Sequence, residues 1–115
     1  MKLKILPLSM RRKKRYIAFR VISNCDISYE EVKQKIREAV VEIFGKKGYA
    51  DIHPRFIDNL WNDEKKVGIV RCWHKEVYRL VFAIGSAKFN CEAVVKILKV
   101  SGTIKKIKTS VLNKL

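Results

Sequence analysis

The stretch Arg15-Tyr16-Ile17-Ala18-Phe19-Arg20-Val21-Ile22-Ser23 and the run from Ser28 to Ile43 that follows it decide the fold, because the hydrophobic period changes between them. In 15–23, Ile17, Phe19 and Val21 alternate with Tyr16, Ala18 and Arg20, the period-two pattern of a strand. In 28–43, Val32, Ile36, Ala39, Val40 and Ile43 recur at helical spacing, with Lys33, Lys35, Arg37 and Glu38 between them. Ser28 is a good N-cap and Glu31 stands three residues on, which makes a capping box. Gly45 or Gly48 is predicted to end this helix.

Outward from this pair, residues 50–61 read as a second strand, and Pro54 inside it marks an edge strand or a bulge. Asn62–Lys66 is a polar turn, and Val67–His74 is the third strand. Glu76–Ala87 is a second helix with Val77, Leu80, Val81 and Ile84 on one face; Gly85 weakens its last turn. Cys91–Val100 is the fourth strand, expected to run on toward Lys108 with Gly102 as an irregularity. The order β-α-β-β-α-β is the split, ferredoxin-like α+β arrangement: a four-stranded antiparallel sheet with both helices on one face. The other face is then left to solvent, a partner or a ligand. The first and third strands are central, and Tyr16, Ala18, Arg20, Ile69, Arg71 and Trp73 are expected on that outer face. Val70 and Cys72 are apolar too, so a one-residue slip in the third strand would exchange its faces.

The chain has 115 residues and a formal net charge of +15, from 26 Lys or Arg against 11 Asp or Glu. That length fits one domain, long enough to build a core without disulfide staples. Hydrophobic residues at 48% argue against general disorder. Residues 1–20 hold eight cations and 93–115 hold six, with no acid in either, while 21–92 is nearly neutral. Such placement is an electrostatic footprint for a polyanion rather than a property of composition. The predicted organisation is a basic arm (1–14), a ferredoxin-like domain (15–108) and a tail (109–115), which is a short helical turn or a frayed end.

No apolar run approaches the length of a membrane span, and Met1–Met10 is too short and interrupted for a secretory signal. Cys25, Cys72 and Cys91 are odd in number and widely spaced, with no CxxC, so neither a zinc knuckle nor a redox pair is indicated. Cys72 reads as a small buried hydrophobe, and a reducing, cytoplasmic setting is expected.

The chain carries no Walker A loop, GxGxxG, HExxH or GxSxG. His53 and His74 alone do not make a metal site, which wants three or four ligands. The candidate RNA-binding residues read from the sequence are Arg11, Arg12, Lys13, Lys14 and Arg15, leading into Tyr16, then Arg20, Arg71, Ser101, Lys105, Lys106 and Lys108, while His74 reads as a polar residue at a strand end. A run of cations neutralises phosphates, and an aromatic beside it can stack on a base. Ser101, Thr103 and the backbone near Gly102 are phosphate donors by type. Arg71, in a central strand, needs either an acid within the protein or an anion from outside. Trp61 and Trp73 can each be core, interface or stacking residues. The third strand lacks the several aromatics of an RNA recognition motif, which speaks against base reading on the sheet.

Arg-Tyr-Ile-Ala-Phe-Arg-Val (15–21), Gly-Ile-Val-Arg-Cys-Trp-His (68–74) and Ser-Gly-Thr-Ile-Lys-Lys-Ile-Lys (101–108) together resemble the family of archaeal ribonuclease P protein component 2. The resemblance spans about 15–108, with the three motifs in the expected order. It implies an α-β sandwich related to the RNA recognition motif and a non-catalytic subunit of a ribozyme. In that family the RNA removes the 5′ leader of precursor tRNA by magnesium-dependent hydrolysis. The expected partners are therefore the ribonuclease P RNA, precursor tRNA as substrate of the complex, and a TIM-barrel-like protein subunit; a heterotetramer with that subunit is allowed. No cofactor is expected on the protein itself, and magnesium belongs to the RNA. The motif positions carried over are Arg15, Tyr16, Arg71, His74, Ser101, Lys105 and Lys106, and an exposed apolar patch on the second helix or around Trp61 would hold the protein partner. The alternatives are another RNA-binding module, such as a ribosome-associated one, a pure protein-interaction domain, and a small phosphatase. The last would need a phosphate-cradling loop after the first strand, where Asn24–Ser28 has no glycine.

Overall fold

The computed structural model describes residues 13–110. The elements are β1 (Lys14–Ser23), α1 (Tyr29–Ile52), β2 (Arg55–Phe56), β3 (Val67–Trp73), α2 (Val77–Ser86), β4 (Ala93–Ser101) and α3 (Ile104–Ser110), with short 3-10 turns at Asp58–Leu60 and His74–Glu76. The sheet order is β2-β3-β1-β4, and each neighbouring pair is antiparallel. This is the expected ferredoxin-like α+β topology, with β1 and β3 central.

The alternation in β1 does what its pattern demands. Ile17, Phe19 and Val21 meet Val70 and Cys72 of β3 and the apolar stripes of α1 (Val32, Ile36, Val40) and α2 (Leu80, Ala83, Ile84) in the main core. Ser28 caps α1 by accepting the Glu31 amide at 3.2 Å. Gly68 lies where β3 passes under two aromatic rings: a Cβ there would come within 2.8 Å of Trp61 and 2.9 Å of Phe19. Trp61 also stacks on Tyr29, centroids 4.5 Å apart, so it is a packed residue on the helix side of the sheet.

Several sequence-based boundaries are corrected. Helix α1 does not stop at Gly45 or Gly48. Gly45 takes a left-handed φ of 74° that kinks the helix, and the chain then resumes helical turns to Ile52. Continuation is favoured because Ile52 is fully buried, and His53, at φ 48°, closes the end by donating its amide to the Tyr49 carbonyl. The strand expected over 50–61 therefore shrinks to Arg55–Phe56, an edge strand that starts just after Pro54. Ile43, assigned to the apolar stripe by spacing, lies just before the kink and is 38% exposed. The third strand ends at Trp73, one residue short of His74.

The fourth strand is corrected too. It does not run on to Lys108; it ends at Ser101 and the chain turns into α3. Thr103 drives that turn, its hydroxyl accepting the Lys106 amide at 3.3 Å. A β-bulge prepares it. Ala18 pairs with Lys99 and Phe19 with Ile97, which leaves Leu98 as the extra residue. The bulge inverts the side-chain phase, so Lys99 and Ser101 share the outer face with Ala18 and Tyr16 and deliver the chain to that face. There Ile107 is fully buried against Ala18, Val67 and Ile69, with Tyr16, Ile57, Leu60 and Leu98 packed around them. The outer face, expected to stand open, is thus partly roofed by α3.

The cysteines also depart from expectation. Cys25 and Cys91 form a disulfide across 66 residues of sequence. Antiparallel pairing of β1 with β4 brings the residue after one strand beside the residue before the other, and the Asn24 amide donates to the Glu92 carbonyl there. Cys72 is free and buried as expected; burial pushes its thiol up to about 11.

A polar lock ties α1 to the segment after β2. Lys33, 8% exposed, pairs with Glu30 at 3.0 Å and Asp58 at 3.3 Å, and Tyr29 donates to the same Asp58 carboxylate at 2.8 Å. The Tyr29 hydrogen bond, with Lys33 beside it, holds the Asp58 carboxyl below its ordinary value. A group so depressed adds stability above its unfolded pKa and loses it as pH falls through the folded one. Acid unfolding monitored by circular dichroism is thus expected to begin at lower pH in the wild type than in Tyr29→Phe. Replacing Ile107 with Ala is expected to cost about 2–4 kcal/mol in a urea melt by emptying the outer core; an unchanged midpoint would show that α3 does not seal the sheet.

Candidate nucleic-acid interface

Antiparallel pairing puts the start of β1, the end of β3 and the end of β4 at one edge of the domain. The register is explicit: Lys14 faces Trp73, Arg15 faces Cys72, and Tyr16 faces Arg71 on one side and Ser101 on the other. The His74 amide donates to the Lys13 carbonyl at 2.6 Å, extending the β1–β3 seam past the strand. Gly102 lies against the Arg15 guanidinium, where an added Cβ would stand 3.3 Å from Nη1. The three sequence motifs, far apart in the chain, therefore become one surface.

Within it, Lys13, Lys14, Lys105, Lys106 and Lys108 are exposed, while Arg15, Tyr16 and Arg71 are half-buried. Ser101 is buried and its hydroxyl accepts the Thr103 amide at 3.3 Å, so it shapes the turn that presents Lys105 and Lys106. His74 is exposed at the start of the turn after β3. Arg20 is not brought to this edge. It pairs with Val67 and Lys96, four residues along the strand from Tyr16, about 13 Å away. Arg11 and Arg12 lie outside the described residues.

The charges are divided between two regions. Ion pairs among the described residues run from Lys33, Lys35, Lys66 and Arg79 to Asp26, Glu30, Glu38, Asp58, Asp63 and Glu76. Lys13, Lys14, Arg15, Arg71, Lys105, Lys106 and Lys108 take part in none of them. Arg71, which needed an acid or an external anion, has no acid among the described residues. Cations crowded without acids repel one another, and an anion removes that cost.

Sequence reasoning missed two residues here. Arg55 is the direct cross-strand partner of Arg71, and His53 stacks on Trp73 with ring centroids 6.3 Å apart and planes 16° apart. Neither carried a signal in the sequence, since both depend on the register of a two-residue strand that the spacing misplaced. No group of three or more His, Cys, Asp or Glu residues among the described residues is placed to hold a metal. Chemically the surface offers many N–H donors to anionic oxygens. The roof of α3 over Ala18 and Ile69 covers the middle of the sheet, where single-stranded bases stack in RNA recognition motifs. No helix among the described residues is long and apolar enough to cross a membrane. In the helix layer, α2 exposes Tyr78 (88%) and Phe82 (61%) one helical turn apart.

The Rpp14/Pop5 family matches this chain over residues 15–112. Ribonuclease P protein component 2 of Pyrococcus abyssi is 43% identical, covering 98% of this chain and 96% of that protein. The protein of the same name from Pyrococcus horikoshii is 41% identical over 98% and 94%, and that from Methanocaldococcus jannaschii 35% over 96% and 81%. Among solved structures, a chain in the cryo-EM structure of yeast ribonuclease MRP superposes with a TM-score of 0.66 at 17% identity, over 82% of this chain and 77% of that one, a likeness of fold. With the family matched across nearly the whole described domain and relatives of this identity along almost its full length, the chain belongs to the Rpp14/Pop5 family.

Proposed function

We propose that this chain is an RNA-binding protein component of ribonuclease P that takes no covalent part in the reaction. The observation that carries the reading is the gathering of cations from β1, β3 and α3 on one edge without acidic partners among the described residues. The names of its relatives supply the RNA. The surface acts by charge: Lys and Arg groups neutralise closely spaced phosphates and lower the repulsion that opposes a compact catalytic RNA. Less magnesium is then needed to hold the RNA active, and the magnesium stays on the RNA. The roofed sheet favours contact with the sugar-phosphate backbone over base reading.

A TIM-barrel-like protein subunit is the second partner in this reading. Exposed Tyr78 and Phe82 on α2, in the helix layer and not on the outer face of the sheet, form an apolar patch suited to a protein surface. Such a division lets one molecule hold RNA and protein at once. The setting is cytoplasmic, and the product of the complex is tRNA with a mature 5′ end.

Reconstituted cleavage of precursor tRNA tests the reading. Ribonuclease P RNA and the partner protein are expected to cleave faster at low magnesium when this chain is added; equal rates with and without it would contradict the proposal. Lys105→Ala with Lys106→Ala is expected to weaken RNA binding and to flatten its log–log salt dependence by roughly 0.7–0.9 per lost phosphate contact, measured by fluorescence anisotropy. An unchanged slope would remove α3 from the interface.

A further inference from the structure

We propose that Arg55 and Arg71 form a clamp for a single phosphate of the bound RNA; the proposal rests on the RNA-binding reading above and adds a ligand position to it. The two residues are direct partners across β2 and β3, so their side chains leave the same face of the sheet with Cβ atoms about 5 Å apart. Like charges placed directly opposite destabilise a sheet. Neither guanidinium has an ion pair among the described residues; the acids that do pair serve Lys33, Lys35, Lys66 and Arg79.

The local structure forces this opposition. Strand β2 is two residues long, and everything around Arg55 anchors it. Pro54 is buried before it. Phe56 points to the other face, where its ring meets Phe19 edge-on at 6.3 Å and Tyr29 at 6.5 Å, with the Arg37 guanidinium 5.3 Å from its centroid. The Ile57 amide donates to the Ile69 carbonyl at 2.9 Å. With Phe56 and Ile57 so held, Arg55 is delivered opposite Arg71.

The surroundings suit an oxyanion. The same cross-strand row continues from Arg71 to Tyr16 and Ser101, and Lys14 stands in the next row, opposite Trp73. Two planar forks carried side by side on one face can each offer parallel N–H groups to phosphate oxygens, a geometry a lysine pair cannot reproduce. A bridging phosphate, being shared, also cancels the repulsion between the guanidiniums.

The experiment measures ribonuclease P RNA binding against salt concentration for wild type, Arg55→Ala, Arg71→Ala, the double variant and Arg55→Lys, with the melting temperature of each protein alone. Each alanine variant is expected to weaken binding roughly tenfold or more and to lower the salt slope by the share of one phosphate. The double variant is expected to lose no further slope, because both residues hold one group. Arg55→Lys is expected to keep the slope and lose affinity. Arg55→Ala is expected to melt no lower than wild type, since a like-charge contact is relieved. Double-variant affinity equal to that of a wild type that binds RNA would overturn the clamp. So would a double variant whose slope falls twice as far as either single one, or a melting temperature that falls with affinity in Arg55→Ala. A wild type that fails to bind the RNA would overturn the RNA-binding reading itself, a different result.

Discussion

Burial of β1 on both faces is the constraint on which the rest of the structure depends. Ile17, Ala18 and Phe19 are consecutive, and all have no exposed surface. In a strand, neighbours point to opposite faces, so this is possible only if both faces are covered. Helices α1 and α2 seal Ile17 and Phe19, and α3 seals Ala18 through Ile107. Paired with β3 on one side and β4 on the other, β1 has no freedom to slip. Its first residues, Lys13 to Tyr16, are therefore held beside the ends of both neighbours. The cationic edge is a consequence of core packing.

The bulge at Leu98 connects that core to the edge. Without the extra residue, Ser101 would face the helix layer. With it, the chain leaves β4 on the outer side, and Thr103 starts α3 across the sheet. Hydrophobic and electrostatic demands are then met by one short helix: Ile107 turns inward while Lys105, Lys106 and Lys108 stay in solvent. The acids follow the opposite logic. Those that pair are committed to Lys33 and Lys35 on α1, Lys66 beside β3 and Arg79 on α2, which leaves the positive field at the edge uncompensated by those pairs.

Much of this was legible in the residues, and the exceptions have physical causes. The period-two pattern of 15–23 and the helical pattern of 28–43 identify β1 and α1 correctly, and the antiparallel order follows from their sequence with β3 and β4. The face assignment of Tyr16, Arg71 and Trp73 also holds. Gly45 misled because a kinked helix and an ended helix carry the same letter, and only the burial of Ile52 tells them apart. Ile104 and Ile107 misled because two apolar residues three apart are too few to separate a helical turn from a strand's continuation. Cys25 and Cys91 sit far apart in sequence and meet only through the β1–β4 pairing. Arg55 was invisible because its place depends on Phe56 and Ile57, whose partners lie in other elements.

The central claim is that the cationic edge, and not another face, meets RNA. Amide chemical-shift mapping of the full chain during titration with ribonuclease P RNA tests it most directly. Shifts are expected to cluster at Lys13–Tyr16, Arg55, Arg71–His74 and Ser101–Lys108, with the exposed side of α2 around Tyr78 and Phe82 unaffected. Shifts centred on α1 and α2, with the strand ends silent, would contradict it.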